Sequence, residues 1–393
     1  MSRILRIGLA ASLLTAVGAV VYGAAPLKLP YGPEGKGRFG AYYTTLKYSP
    51  EWDAQWRVGS KADVVVRFDA YDYRLVFWRG TNYVPFWVNE NRVWSSFGCV
   101  ERPNASPKWD KLCKYSFASV IESNDARVVV RWRYALVDKD GKLVNADPMT
   151  NWNDWVDEYY TIYPDAVCVR RMTLHSSNLK EPVSCQQSAF IGAPSDSDGG
   201  AVLVGQLGSV TSQGNDFASA EPAGWPVLDA GVTSATRNGR PALGASTWKP
   251  YTEDKTSKSW MVMVHLTETP VAPSGSGVAW PDAPKLTVLK GNCKSAGYDP
   301  SEGAYQLSSA APDPVKLTLK ASMDSPTVNP AFVIKGWGKN DISLAIDGKP
   351  IQRGPDFRYG FRRTDTVSDL IIWVKKQSTK PVTFEIKPVG GGK

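Results

Sequence analysis

ARVVVRWRYALVD, residues 126–138, alternates apolar and polar side chains with the two-residue period of a half-buried strand. Val128, Val130, Trp132, Tyr134 and Leu136 fall on one face, while Arg131 and Arg133 fall on the other. The turn residues Asp138-Lys139-Asp140-Gly141 end the run. Working outward, the same pattern recurs. DVVVRFDAYDYRLVFWRG (63–80) gives two β-rich runs, and YVPFWVNENRVWSS (83–96) gives two more around Asn89-Glu90-Asn91. DEYYTIYPDAVCVRRMTLHS (157–176) reads as a hairpin turning at Pro164-Asp165, and SWMVMVHLTE (259–268) as a further strand. Near the C-terminus ISLAIDGKPI (342–351) carries an Asp347-Gly348 hairpin turn, and LIIWVKK and VTFEIKP follow.

No stretch keeps a long 3.6-residue apolar period, and 34 Gly and 28 Pro in 393 residues favour short strands and turns over long helices. The expected fold is therefore all-β. It is a large antiparallel, supersandwich-like β-sandwich over 26–315, followed by a small C-terminal β module over 316–393. The proline-rich VAPSGSGVAWPDAPK (271–285) marks a boundary or crossing loop, and the Gly/Ser/Ala/Asp-rich 192–250 reads as long loops. A β-propeller is the alternative, weakened by the lack of a 20–50-residue repeat.

Residues 1–25 read as a secretory signal. Arg3 and Arg6 precede an apolar stretch from Ile7 to about Val21, and small residues follow at Gly23-Ala24-Ala25. The apolar stretch is short for a membrane span, so the expectation is cleavage, no membrane association afterwards, and a secreted or periplasmic location. Cleavage removes two of the 46 basic residues and none of the 38 acidic ones, lowering the formal charge from +8 to +6. A basic exported protein suits an anionic polymer. Nucleic acid is not expected, because no Lys/Arg-dense tract or base-reading motif is present. In an oxidising compartment the five cysteines allow two bridges, Cys99–Cys113 and Cys168–Cys185; reduced buried thiols are the alternative. None has metal-type spacing, and with only His175 and His265 a multi-histidine metal site is not expected.

Three constellations carry candidate chemistry. FWRGTNYVPFWVNENRVW (77–94) gathers Trp78, Arg79, Asn82, Tyr83, Trp87, Asn89, Asn91 and Trp94. Aromatic faces suit sugar rings, and Arg and Asn suit carboxylates and hydroxyls, although strands bury one face and so claim about half of such aromatics. NWNDWVDEYYTIYPD (151–165) sets Asp154, Asp157 and Glu158 among Trp152, Trp155, Tyr159 and Tyr160. Such carboxylates fit a glycosidase acid pair, a structural Ca²⁺, or plain strand-edge charges. The third is a basic sheet face of Arg131, Arg133 and one of Arg170 or Arg171, which reads either as a solvated surface or as a cleft for an anionic polymer. His175 shares the alternation of Arg171 and Thr173 and is the better base candidate; His265 keeps apolar company with Met261 and Met263.

FWRGTNYVPFWVNENRVW, ARVVVRWRYAL and NWNDWVDEYYTIYPDAVCVRRMTL, within residues 60–176, resemble exported ulvan-lyase-like proteins and related β-rich polysaccharide lyases. The segments PAFVIKGWG, DGKPI, DFRYGF and DLIIWV resemble the C-terminal β part of similar proteins. The resemblance implies β-elimination on a uronate-containing, ulvan-like polysaccharide with no cofactor. A cationic or amide group neutralises the carboxylate, a base removes the adjacent proton, and an acid protonates the leaving oxygen. On that reading Arg79, Asn82, Tyr83 and His175 are the catalytic candidates. Trp87, Asn89, Asn91, Trp94, Arg131, Arg133, Trp152, Trp155 and Glu158 are the substrate-binding ones. A hydrolase using Asp154, Asp157 or Glu158 and a non-catalytic carbohydrate-binding protein are the alternatives.

Overall fold

The computed structural model describes residues 37–46, 62–88, 98–183 and 283–389, with single gaps at 73, 111, 182 and 366. It also gives strand backbones between 94 and 266. The chain is nearly all strand. Among the described residues helix is confined to two short 3-10 turns, at Arg79–Thr81 and Pro107–Trp109, and no sheet closes into a barrel. The 1–25 segment, Asn89 and Asn91 lie outside the described residues, and Trp94, Cys185 and His265 are described by backbone alone.

The first sheet orders β1 (Gly40–Thr44), β2 (Asp63–Arg67), β3 (Arg74–Phe77), β4 (Pro85–Val88), β5 (Trp94–Ser96), β12 (Gly192–Pro194) and β13 (Ala201–Leu203). The second contains β7 (Ser116–Ser123), β8 (Val128–Ala135), β9 (Trp155–Ile162), β10 (Val167–His175) and β19 (Ser257–Leu266) as successive neighbours. β17 (Leu243–Ala245) and β18 (Lys249–Glu253) both pair with the far side of β19. Smaller pieces are the sheet of β6 (Val100–Glu101), β11 (Val183–Cys185) and β14 (Val210–Ser212), and the ribbon of β15 (Thr236–Arg237) and β16 (Arg240–Pro241).

The two large sheets differ as their sequences do. β2 and β3 read DVVVR and RLVF, apolar without alternation, and both faces are buried. Val64, Val66, Leu75 and Phe77 face the inter-sheet core, while Val65, Val76, Trp78 and Val88 build a second cluster behind them. β8 alternates and so keeps one solvated face, as an antiparallel sheet with one covered side requires. Its inward residues Val128, Val130, Trp132 and Tyr134 meet Val156, Tyr160 and Ile162 of β9 and Cys168, Met172 and Leu174 of β10 in the same core.

At the open edge of the second sheet β7 carries a bulge between Val120 and Glu122. There the Val120 N–H donates to the Tyr43 hydroxyl (2.9 Å) and the Ala41 N–H to Ser123 Oγ (3.0 Å), joining β7 to β1.

The C-terminal sandwich begins at Lys285 and not at 316. Strands β20 (Lys285–Lys290) and β23 (Val315–Lys320) continue into β31 (Val382–Val389), β26 (Asp341–Ile346) and β27 (Lys349–Ile351) as one sheet. Facing it, β21 (Cys293–Asp299) and β22 (Ala304–Ser309) continue into β25 (Ala331–Lys335), β29 (Asp369–Val374) and β28 (Phe357–Arg362). A ribbon of β24 (Thr327–Val328) and β30 (Gln377–Ser378) lies beside them. The apolar residues of β20–β23 share a core with the tail (Leu286, Leu307 and Leu317 with Phe332, Ile372 and Phe384), and this is why the boundary falls at the end of the proline-rich 271–285 run rather than at 316. Asp347 and Gly348 both hold positive φ (50° and 78°), the two left-handed positions of the hairpin turn expected there.

The sandwiches meet through an apolar patch of Ala126 and Tyr163 against Ala304, Ala331, Val333, Ile371 and Trp373. Buried Arg127 bridges Glu122 (2.7 Å) in its own sandwich to Glu302 (2.6 Å) in the other. Arg358–Asp69 (2.8 Å), Arg353–Asp125 (2.9 Å) and Asn329–Asp165 (2.8 Å) add contacts around the patch.

Candidate functional site

The segment that looked most like an active site is structural. Arg79 donates through its backbone and its guanidinium to Asp63 (2.8 and 2.7 Å), and both side chains are buried. Burial raises the Asp63 carboxyl, and hydrogen bonds from the Arg79 and Leu46 backbones offset only part of that effect. Asn82 and Tyr83 hold consecutive left-handed conformations (φ 56° and 62°) that turn the chain from the 3-10 turn into β4. The Asn82 amide donates to the Pro107 and Asp110 carbonyls (3.0 and 2.5 Å), and the Tyr83 hydroxyl donates to the Ala62 carbonyl (2.9 Å). Burial pushes that hydroxyl far above its ordinary range. Trp87 packs in the core on Phe68 with centroids 5.7 Å apart. Arg79, Asn82, Tyr83 and Trp87 are therefore not placed to meet a polymer: all four are buried, the Arg79 guanidinium is bonded to the Asp63 carboxylate, and the Asn82 and Tyr83 side chains donate to backbone carbonyls.

Two of the three carboxylates are also internal. Glu158 lies on the inward face of β9. It accepts from the Tyr134 and Tyr160 hydroxyls (2.6 and 2.5 Å) and from Arg170 Nε (2.7 Å) and a terminal guanidinium nitrogen (2.9 Å), all buried. Burial, followed by the nearby Glu158 charge, raises the Tyr134 hydroxyl; burial raises the Tyr160 hydroxyl as well. Asp154 is buried against Arg102 (2.5 Å) and Asn145 (2.9 Å). The three carboxylates thus share no surface, and Glu158 does not line the outer face of the sheet.

No disulfide joins Cys99 to Cys113 or Cys168 to Cys185. Cys99, Cys113 and Cys168 are buried thiols. The Cys113 thiol donates to the Arg79 carbonyl (3.5 Å), and Cys168 points into the inter-sheet core from β10. Among the described residues no cluster of three or more His, Cys, Asp or Glu could hold a metal ion.

What the sheet assembles is its outer face. In register across β8, β9 and β10 lie Arg131–Tyr159–Arg171, then Arg133–Asp157–Thr173, then Ala135–Trp155–His175. Asp157 accepts from Arg131 Nε (2.8 Å), Arg133 (3.3 Å) and His175 Nε2 (3.3 Å). Burial would raise its carboxyl, but the hydrogen bonds from His175 and Arg131 and the two guanidinium charges outweigh burial and hold it below its ordinary value. Arg133 stacks over Trp155 (4.9 Å) and Trp152 (5.9 Å), and Tyr159 sits between Arg171 (4.8 Å) and Arg131 (5.9 Å). The Trp152 residue is 57% exposed and the His175 side chain 44%.

The predicted residues His175, Arg131, Arg133, Trp152 and Trp155 therefore come together. Asp157, Tyr159 and Arg171 join them, and the register settles which of Arg170 and Arg171 faces out. The sequence signal for Tyr159 was weak, because WVDEYYTI places the polar Glu158 on the inward side and blurs the alternation. No protein-family model matches this chain, and no curated protein matches it.

Proposed function

We propose that this chain is an exported polysaccharide lyase. It binds an acidic, uronate-containing polymer of the ulvan-like kind on the outer face of the second sheet and cleaves it by β-elimination. The observation that carries the reading is the cluster at Asp157. Two arginines and a half-exposed histidine converge on one carboxylate, with Trp152, Trp155 and Tyr159 beside them. Three arginines against one carboxylate leave the face cationic, which suits an anionic chain, and the rings offer flat surfaces for pyranose C–H groups.

The chemistry follows from the same groups. A guanidinium on the uronate carboxylate makes the adjacent ring proton acidic. Donation of Nε2–H to Asp157 leaves the His175 lone pair on Nδ1, available to take that proton. Tyr159, its ring set between Arg171 and Arg131, gives a proton to the leaving glycosidic oxygen. The signal-like residues 1–25 support export.

The test is incubation with uronate-containing polysaccharides, following ultraviolet absorbance of the unsaturated uronate. A rise that disappears in His175→Ala, with polymer retention kept, supports the lyase. New reducing ends without absorbance would move the reading to hydrolysis, and retention with neither would move it to a binding module.

A further inference from the structure

We infer that the bound polysaccharide crosses the strands of the second sheet, with the C-terminal sandwich as its side wall and Phe117 on β7 as a stacking platform. This rests on the proposed function and adds the path of the chain and a binding residue on the edge strand.

The shape of the open face decides the direction. Followed along the strands, the face closes at the row of Thr161 and Val169, both buried. The turn at Glu302–Gly303 of the C-terminal sandwich lies against that row. A Cβ at Gly303 would sit 2.9 Å from Val169 Cγ2, and the Tyr163 hydroxyl donates to the Glu302 carbonyl (2.6 Å). From Arg171 to His175 only about 14 Å of strand remains open at ~3.4 Å per residue. Across the sheet the outward residues stay partly exposed from Phe117 on β7 through Arg133 on β8 and Tyr159 on β9 to Thr173 on β10, and strand pairing continues beyond β10 through β19 to β18. The face is therefore stopped along the strands and continues across them.

Its chemistry is laid out along the same axis. Ser119, Arg131, Tyr159 and Arg171 form one register row, and Phe117, Arg133, Asp157 and Thr173 form the next. Each row crosses four strands. A polymer following them meets a cation or an aromatic group on strand after strand, whereas one following a single strand runs from His175 into the wall. Phe117 opens the second row at the sheet edge, on the same face as Arg133, and 39% of it is exposed. Charge complementarity names the occupant: the arginines outnumber the one carboxylate among them, so the chain is anionic.

Calorimetric titration with a length series of acidic oligosaccharides tests this. Phe117→Ala is expected to weaken binding roughly three- to tenfold for oligosaccharides long enough to reach β7 and to leave the shortest binders unchanged. Ser119→Glu, a charge placed on the first row, is expected to give the same length-dependent loss and serves if Phe117→Ala disturbs the edge. Met323→Ala, exposed on the other sandwich, is the control and should match wild type. If wild type binds and both Phe117→Ala and Ser119→Glu bind equally well at every length, the cross-strand path is wrong while the function stands. If wild type binds no acidic polysaccharide of any length, the proposed function itself fails.

Discussion

Replacing Arg170 by Met tests whether the polar cluster between the sheets is architecture or chemistry. Arg170 supplies two hydrogen bonds to Glu158 and one to the Gly98 carbonyl (3.2 Å), and both ionic side chains are fully buried. Removing the cation leaves a carboxylate in an apolar core with only the Tyr134 and Tyr160 hydroxyls as donors. Breaking one partner of such a pair costs about 3–5 kcal/mol. At ~2–4 °C per kcal/mol for a domain of this size, the first sandwich should melt about 6–20 °C lower. Replacing both partners, Arg170→Met with Glu158→Leu, should recover most of the loss, since no charge is then stranded. Thermal melts followed by near-ultraviolet circular dichroism read the change, and polymer binding well below the transition should stay at the wild-type level in both variants. A single-variant loss below ~1 kcal/mol, or polymer binding abolished in a folded Arg170→Met protein, would refute the structural assignment.

Tyr83→Phe should cost about 0.5–1.5 kcal/mol in urea unfolding, from the lost bond to the Ala62 carbonyl, with turnover unchanged; severe loss of turnover in a folded variant would restore the segment 77–94 as a site. The joint between the sandwiches should loosen in acid. Burial would raise the Glu302 carboxyl, but the charges of Arg127 and Arg362 and the hydrogen bond from Arg127 outweigh burial and hold it below its ordinary 4.5. Its contribution is therefore fully present above that value and is lost as pH falls through the lower folded value. Glu302→Gln should flatten this acid dependence in stability measurements, and an unchanged profile would contradict it.

The all-β architecture was legible because β8 alternates cleanly and no segment keeps a helical period. The outer face of the second sheet was half legible. Arg131, Arg133 and His175 could be placed by parity alone, since Val128–Tyr134 and VCVRRMTLH keep their register. Arg79, Asn82 and Tyr83 misled because an Arg, an Asn and a Tyr at a strand end serve a tight turn as well as a substrate. Only their partners distinguish the two roles, and Asp63, Pro107 and Asp110 are up to 28 residues away in sequence. Glu158 misled for a related reason. An ionic residue on an inward position is legible as core only once Arg170 is known to face it from the neighbouring strand.

Strand β7 has two opposing demands, and Tyr43 reconciles them. On the proposed function the side-chain face of this edge strand stays open to the polymer, while an open edge also offers its main chain to any other strand, the usual route to runaway self-association. The Tyr43 hydroxyl occupies the Val120 N–H, Ser123 Oγ takes the Ala41 N–H of the facing edge, and the bulge after Val120 breaks the ladder a second copy would need. Side chains above β7 are thereby left open to visitors while its backbone is closed to them. A wide sheet with a solvated face can then exist at high concentration without zipping edge to edge at β7.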